Sequence, residues 1–254
     1  MTLIGGCAKT ARRPWGAGIT VLCRIEGRRG NDPCRTPPHS MLLSIRPLRR
    51  VRAKFRLIRV TAITSPMYDR IVASFENCPV VDRGGYSYFV HPLTDGVPRM
   101  DPALLRDFLD WMISAGDFRC DIIAAPEAMG IPLAAPLSLE LGIPYTVIRK
   151  KAYCLPGEVS VEQRTGYSSS VMRINGIRRG DRVTLVDDVA STGGTLVAII
   201  RALRDEIGAE IVDVVIPVDK GEGIEAVERE TGVRVRSLVK VGIADGKVVC
   251  TLLS

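Results

Sequence analysis

The residues with the clearest capacity for chemistry lie in one short segment, between positions 183 and 195. The apolar run 183–186 predicts a buried strand, and two adjacent acids, Asp187 and Asp188, follow at its carboxyl end. A turn of small and hydroxylated residues then leads into a predicted helix: Ala190, Ser191, Thr192, Gly193, Gly194 and Thr195. Backbone amides at a helix N-terminus, with hydroxyls beside them, predict a cradle for a phosphate monoester.

Two carboxylates next to such a cradle suit a sugar diol or a hydrated Mg²⁺. Gly193 and Gly194 fit this prediction because side-chain bulk would block the approach of an anion. The alternative is structural, since acids at a strand end commonly cap a turn that the glycines then permit. The segment is not a Walker A loop, because Gly194 is followed by Thr195 rather than Lys, and it contains no GxGxxG pattern.

The chain from Met67 onwards supplies the alternating strand and helix patterns that would position this segment. The most regular helix has Asp101 as its N-cap and Pro102 in its first turn. Predicted strands cover 122–125, 145–148, 183–186, 211–216 and 233–239, and predicted helices cover 101–115, 130–141, 194–207 and 224–231. Apolar strands alternating with helices predict an α/β fold with a doubly wound, mainly parallel sheet.

Three segments interrupt this alternation. Residues 82–98 are rich in glycine and aromatic residues, and residues 241–253 contain Asp245-Gly246, which is typical of a type I′ hairpin turn. We expect these two segments to form a small hood subdomain over the carboxyl edge of the sheet. Residues 152–180 are long and polar, and a connection of this length is typical of a lid over a functional site.

The positive charge of the chain is concentrated at its beginning. Residues 1–66 hold 14 Lys and Arg against two acids, a net +12, whereas residues 67–254 carry a net −5. The first segment has six prolines and no sustained hydrophobic period. We therefore expect residues 1–66 to be a disordered extension or a mis-assigned start, and 67–254 to be the functional domain. Only Trp15 and Phe55 offer aromatic stacking there, so no nucleic-acid partner is expected.

The composition excludes several other classes of protein. The chain has 254 residues, 46% hydrophobic and 25% charged, which is typical of a globular protein. It has no run of about 18 apolar residues, so we expect no membrane partner. Seven cysteines and two histidines without a CxxC or HExxH pattern exclude a zinc framework, and the unpaired cysteines indicate a cytoplasmic protein.

The string VTLVDDVASTGGT (183–195) resembles the phosphoribosyl-pyrophosphate signature of type I phosphoribosyltransferases, and the resemblance extends over residues 68–254. Four further segments resemble the archaeal-type hypoxanthine/guanine phosphoribosyltransferases: APEAMGIP (125–132), IRKKAYCLPGE (148–158), QRTGYS (163–168) and PVDKGEG (217–223). The resemblance implies transfer of 5-phosphoribosyl from phosphoribosyl pyrophosphate to hypoxanthine or guanine, giving IMP or GMP and pyrophosphate. It also implies a homodimer and Mg²⁺, held mainly by the substrate, with Asp187 and Asp188 as candidate ligands.

The resemblance assigns roles to individual residues. Asp187 and Asp188 fall on the ribose-binding acids, where carboxylates would stabilise an oxocarbenium-like sugar in the transition state. The turn 190–195 falls on the loop that binds the 5-phosphate. The pyrophosphate contacts fall on Ala125, Glu127 and Ala128, and the basic run that follows the next strand would clamp the same group: Arg149, Lys150 and Lys151.

Lys220 is the candidate base-binding residue, because it follows the strand 211–216 at the same edge of the sheet. Its ammonium can donate to a 6-oxo group, but it has no acceptor for a 6-amino group. A solvent-facing lysine is the alternative. We expect the aromatic residues Tyr86, Tyr88 and Phe89 to form the hood core, with base stacking as the alternative, and His91 to be a packed or surface residue. The alternative functions are an adenine or orotate phosphoribosyltransferase, or a non-catalytic regulator that senses phosphoribosyl pyrophosphate.

Overall fold

The computed structural model describes residues 65–165 and 168–253, so the predicted extension 1–66 lies almost entirely outside the described residues. The helices are α1 Pro66–Glu76, α2 Pro92–Asp95, α3 Pro102–Ala115, α4 Ile131–Leu141, α5 Gly194–Arg201 and α6 Gly223–Thr231. The strands are β1 Val80–Asp82, β2 Ser87–Phe89, β3 Ile122–Pro126, β4 Tyr145–Ile148, β5 Val159–Thr165, β6 Ser168–Ile174, β7 Arg182–Val186, β8 Val189–Ala190, β9 Glu210–Val215, β10 Val218–Asp219, β11 Val235–Arg236, β12 Val239–Ala244 and β13 Lys247–Leu252.

The central sheet confirms the predicted α/β fold. Its five strands run parallel in the order β11-β9-β7-β3-β4, with β7 in the middle. Successive residues of one strand enter different hydrophobic cores, since Leu185 packs in one buried cluster and Val186 in the other. Both faces of the sheet are therefore covered, which explains why its strands are mainly apolar rather than strictly alternating.

The predicted hood is built around a second sheet, ordered β13-β12-β10-β8. The strands β12 and β13 form the predicted hairpin, and Asp245 (φ 51°) and Gly246 (φ 72°) both adopt the positive φ that a type I′ turn requires. The short strand β8 belongs to the turn that follows Asp187 and Asp188, and it pairs with β10. The hood sheet is thus hydrogen-bonded directly to the segment that follows Asp187 and Asp188.

The predicted helix 101–115 is confirmed, because Asp101 caps α3 by accepting from the amides of Ala103 and Leu104 at 2.7 and 3.3 Å. The predicted helix 194–207 is α-helical only to Arg201. Its continuation is a π-helical turn over Ala202–Ile207, closed by Gly208 in the left-handed conformation. The apolar spacing indicates a helix here, but it does not distinguish a wider turn from an α-helical one.

The prediction of one strand over 233–239 was wrong. Only Val235 and Arg236 pair with the central sheet, and the chain then enters β12 in the hood sheet. The amides of Leu238 and Val239 both donate to the carbonyl of Pro217, at 3.0 Å. Pro217 separates β9 from β10 and has no amide to donate, so the neighbouring strand breaks at the same level.

Among the described residues, no helix is both long enough and apolar enough to cross a membrane.

Candidate active site

The two predicted acids lie at the carboxyl end of β7, the central strand of the sheet. Asp188 is 6% exposed, and its amide donates to Oδ1 of Asp187 at 3.0 Å. Burial raises the pKa of both carboxyls, and the adjacent charge of Asp187 raises the pKa of Asp188 further. Two acids held together in this way form a site that favours a positively charged partner, which would offset both the desolvation and the mutual repulsion.

The predicted phosphate loop turns from β8 into α5. Its Gly193 is the N-cap of α5, with a φ of 76°, and α5 begins at Gly194. The first turn of a helix presents amides that have no partner within the helix, so this end of α5 suits an anion. The start of α5 therefore has the geometry that the sequence predicted for a phosphate cradle.

Close packing against α6 fixes the shape of this loop. A Cβ added to Gly193 would lie 2.4 Å from the carbonyl oxygen of Gly223, and one added to Gly223 would lie 2.6 Å from that of Ser191. Gly193 is thus required by its positive φ and by the close backbone of α6. Gly223 was not singled out, although the pattern Gly221-Glu222-Gly223 after Lys220 is a signal for a close approach of backbones.

A cleft of about 440 Å³ opens between the acids, the phosphate loop and the β3–α4 loop. It is lined by Asp187, Asp188, Ala190, Ser191, Thr192, Gly193 and Thr195 of the predicted segment, and by Glu127, Ala128 and Lys150 of the predicted pyrophosphate site. Its other lining residues include Thr94, Met129 and Met172, which the sequence analysis did not propose as site residues. The volume is within the range of small-molecule sites.

The predicted pyrophosphate residues divide into two groups. The side chain of Ala125 is fully buried in β3, and the Lys151 ammonium lies 5.5 Å from the ring centroid of Tyr153. Neither of these residues lines the cleft, and nor does Arg149. Glu127, Ala128 and Lys150 do line it. Sequence patterns do not separate these groups, because a strand-end residue faces either the core or the edge depending on how the loop turns.

Glu127 holds the basic run in place. Its Oε1 accepts from the amide of Lys150 and its Oε2 accepts from Nε of Arg149, both at 2.8 Å. These contacts lower the pKa of the Glu127 carboxyl, the Lys150 amide contributing first. Glu127 therefore orients the Arg149 side chain and the Lys150 backbone through direct hydrogen bonds.

Gly130 allows the β3–α4 loop to approach the acid pair. A Cβ at this position would lie 2.8 Å from the carbonyl oxygen of Pro126 and 3.1 Å from Oδ1 of Asp187. The loop from Pro126 to Gly130 therefore packs against the carboxyl end of β7, and only glycine fits there without displacing Asp187.

The long polar segment is an antiparallel hairpin of β5 and β6. Met172 of β6 is 3% exposed and lines the cleft, while Val161 of β5 packs in the core below it. At its base, the carboxylate of Glu158 accepts from the amide of Tyr153 at 3.0 Å and from Nδ2 of Asn175 at 2.8 Å. The hairpin thus stands beside the cleft, where a lid was predicted.

A second cleft, of about 550 Å³, lies between Lys220 and the hood. Ser191 lines both clefts, so the two spaces meet at the phosphate loop. The Lys220 ammonium lies 4.4 Å from the ring centroid of Tyr88 and 4.7 Å from that of Phe89. Lys220 therefore faces an aromatic wall at the edge of this cleft and is not a solvent-facing loop lysine.

The aromatic residues of the hood differ in their environments. Phe89 is 2% exposed and belongs to the core, as expected, whereas Tyr86 is 58% exposed and lines the second cleft. The expectation that Tyr86 is a core residue was wrong, because Tyr86 precedes β2 and its side chain lines the open cleft. His91 is fully buried and stacks on Phe75 with centroids 3.9 Å apart, which confirms a packed histidine.

The acid pair suits a Mg²⁺ ion that substrate phosphates also bind, rather than a metal ion that is bound by the protein alone. No group of three or more metal-binding side chains occurs in the part of the chain that the structure describes. Mg²⁺ commonly takes one or two carboxylates and completes its shell with water and substrate phosphates. Asp187 and Asp188, side by side at the cleft, fit that arrangement.

The fold and the site together define a class of protein. Residues 102–246 match the family described as the phosphoribosyl transferase domain, and this chain belongs to that family. The match includes both acids, the phosphate loop, the β3–α4 loop and Lys220. The sequence-based recognition of a type I phosphoribosyltransferase fold is confirmed.

The curated relatives are more specific. The chain is 53% identical to the hypoxanthine/guanine phosphoribosyltransferase of Methanococcus vannielii over 175 residues, which cover 69% of this chain and 94% of that protein. It is 49% identical to the protein of the same name from Methanocaldococcus jannaschii over 177 residues, covering 69% and 96%. The resemblance to archaeal hypoxanthine/guanine phosphoribosyltransferases is therefore confirmed.

The solved structures that resemble this chain share its fold at lower identity. An adenine phosphoribosyltransferase from Thermoanaerobacter pseudethanolicus aligns with a TM-score of 0.57 and 24% identity, covering 68% of this chain and 98% of that one. An adenine phosphoribosyltransferase from Trypanosoma brucei, in complex with AMP, pyrophosphate and ribose-5-phosphate, aligns with a TM-score of 0.54 and 21% identity, covering 71% and 82%. At these identities the likeness supports the fold and not the choice of base.

Proposed function

We propose that this protein is a purine phosphoribosyltransferase that transfers 5-phosphoribosyl from phosphoribosyl pyrophosphate to hypoxanthine or guanine, giving IMP or GMP and pyrophosphate. The observation that carries the proposal is the meeting of two clefts at Ser191. One cleft combines two acids with the start of a helix, and the other presents a lysine beside aromatic rings. A sugar phosphate and a flat base would bring their reacting atoms together where the clefts meet.

The first cleft suits the phosphoribosyl group. In the proposal, the 5-phosphate binds the amides and hydroxyls of the loop 190–195, and the ribose lies over Asp187 and Asp188. When C1 separates from pyrophosphate, positive charge develops on the sugar. The two carboxylates stabilise that charge more in the transition state than in the ground state, because they are already oriented toward the cleft.

The leaving pyrophosphate suits the side of the cleft formed by Ala128 and Lys150. In the proposal, Glu127 presents Arg149 and the backbone of Lys150 toward this group. Mg²⁺ bound to the substrate phosphates, with Asp187 and Asp188 as candidate ligands, would neutralise charge that accumulates on the leaving group. The β5–β6 hairpin stands where it would limit access of water, which could otherwise intercept the sugar.

The base suits the second cleft, where Lys220 would donate to a 6-oxo group. The experiment that tests this assignment compares Lys220→Ala with the wild type, using competing bases and kcat/KM for each. We expect hypoxanthine and guanine to lose about 10- to 150-fold, the range for a hydrogen bond from a charged donor, while adenine stays flat or improves. An equal loss for all bases would show that Lys220 supports the loop instead of recognising the base.

We further propose that the protein is a cytoplasmic homodimer. Leu139 on α4 is 87% exposed, and Tyr145 at the start of the neighbouring edge strand β4 is 40% exposed. A second copy of the chain covering these side chains would remove apolar surface from water. The four cysteines among the described residues are all free, which suits a reducing compartment: Cys78, Cys120, Cys154 and Cys250.

A further inference from the structure

Among the described residues, the ammonium of Lys220 contacts aromatic rings and forms no salt bridge with an acid. Its Nζ lies 4.4 Å from the ring centroid of Tyr88, 4.7 Å from that of Phe89 and 5.6 Å from that of Tyr86. These distances are within the range of cation–π contacts. The backbone of Lys220 is fixed separately, because its amide donates to the carbonyl of Ala190 at 2.8 Å. The direction of the side chain therefore depends on the ring against which it rests.

The ring of Tyr88 is fixed by a half-buried hydrogen-bond network. Its hydroxyl donates to Oδ1 of Asp95 at 2.7 Å. The other oxygen of Asp95 accepts from the amide of His91 at 3.0 Å and from Oγ1 of Thr94 at 2.8 Å. Burial, and then the bond to Asp95, raise the pKa of Tyr88 to about 12, so its hydroxyl remains a donor at neutral pH.

We propose that Tyr88 and Asp95 are positioning residues for base recognition: Asp95 holds the Tyr88 hydroxyl, and the Tyr88 ring in turn holds the Lys220 ammonium at the edge of the second cleft. The inference rests on the proposed function, in which Lys220 donates to the base. It adds two residues that lie outside the acid pair, the phosphate loop and the pyrophosphate loop.

The physical reason is preorganisation. A lysine side chain has four rotatable carbon–carbon bonds, and restricting them when the base binds would oppose binding. A ring that is already fixed reduces this cost before the base arrives. The contact is also reversible, since a cation–π contact is weak enough to permit a small movement toward the 6-oxo group.

The test measures three quantities in the full-length protein: kcat, the KM for guanine and the KM for phosphoribosyl pyrophosphate. We expect Tyr88→Leu to raise the KM for guanine by about 2- to 30-fold, the range of a cation–π contact, and to leave the KM for phosphoribosyl pyrophosphate within about twofold. We expect Tyr88→Phe to have a smaller effect, because it keeps the ring and loses only the bond to Asp95. Matched controls are Tyr68→Phe on α1 and Asp101→Asn, whose side chain caps α3.

A double-mutant cycle distinguishes positioning from general structural support. In a Lys220→Gln background, Tyr88→Leu should cause no further rise in the KM for guanine, because its effect passes through the missing ammonium. Asp95→Asn should likewise add little in a Tyr88→Phe background. Additive effects, an unchanged KM for guanine, or an equal rise in both KM values would overturn the inference.

The activity of the wild-type protein distinguishes a failure of this inference from a failure of the proposed function on which it rests. If the wild type forms no nucleotide from phosphoribosyl pyrophosphate and either oxopurine, the proposed function fails and the inference falls with it. If the wild type is active and the cycle is additive, the inference alone fails. Thermal unfolding of each variant checks that the protein is folded. If Tyr88→Leu does not fold, the same comparison is made with Tyr88→Phe.

Discussion

The contact between α6 and the phosphate loop makes a sharp prediction for Gly223→Ala. The new Cβ would lie 2.6 Å from the carbonyl oxygen of Ser191, whereas ordinary contacts begin at about 3.4 Å. Because the obstructing atom belongs to the backbone, the loop or the helix must shift by about 0.4–0.8 Å. Overpacking of this kind costs about 1–3 kcal/mol of stability.

The same shift should weaken binding of the substrate phosphate. An amide that donates to a charged acceptor contributes about 1.5–3 kcal/mol, so the loss of one such bond would raise the KM for phosphoribosyl pyrophosphate about tenfold or more. Steady-state kinetics with varied phosphoribosyl pyrophosphate measures this effect. Chemical denaturation in parallel gives the change in the free energy of unfolding.

Gly232→Ala at the other end of α6 is the matched control. Gly232 has a φ of 68°, and a Cβ added there would have no other atom within 4 Å. Alanine at this position therefore adds backbone strain without a collision. We expect it to cost about 1–2 kcal/mol of stability and to leave the KM for phosphoribosyl pyrophosphate unchanged. A folded Gly223→Ala protein with the wild-type KM for phosphoribosyl pyrophosphate would show that α6 does not shape the phosphate loop. An equal rise of this KM in both variants would show the same.

Three further predictions concern the acids, the hood and the chain start. Asp187→Asn and Asp188→Asn should each remain folded and lose about 10²–10³ in kcat, and unchanged turnover in both would contradict the ribose assignment. Burial lowers the pKa of His91 to about 4 from an ordinary 6.5, so its contribution to stability is complete above pH 6.5 and decreases as the pH falls to 4. The difference in the free energy of unfolding between wild type and His91→Asn should therefore change by about 3 kcal/mol between pH 6.5 and 4, and parallel pH curves would argue against a buried neutral ring. A chain starting at Met67 should fold and keep full activity, as measured by kcat/KM, and inactivity in the folded, shortened chain would reject the proposed domain boundary.

Local sequence signals predicted those parts of the fold that depend on local physics. The cap at Asp101 and the turn at Asp245-Gly246 each specify a backbone conformation through residues within a few positions of one another. The strand 183–186 and the acids after it were also predictable, because a buried parallel strand is apolar throughout and its carboxyl end carries the site.

Contacts between distant residues were not predictable in the same way. Glu127 meets Arg149 across 22 positions, so the sequence showed an acid and a basic run but not that one holds the other. Gly193 and Gly223 approach each other only because α5 and α6 pack together. The end of β11 depends on Pro217 in a neighbouring segment, which the apolar pattern of 233–239 does not reveal.

The most direct test of the account is nucleotide formation by the wild-type protein from phosphoribosyl pyrophosphate and Mg²⁺, with each of hypoxanthine, guanine, xanthine, adenine and orotate as acceptor. We expect IMP and GMP, each formed with one equivalent of pyrophosphate, and kcat/KM values for hypoxanthine and guanine well above that for adenine. A preference for adenine or orotate would contradict the role of Lys220 as a donor to a 6-oxo group. Binding of phosphoribosyl pyrophosphate without turnover of any base would contradict the enzyme and favour a non-catalytic sensor.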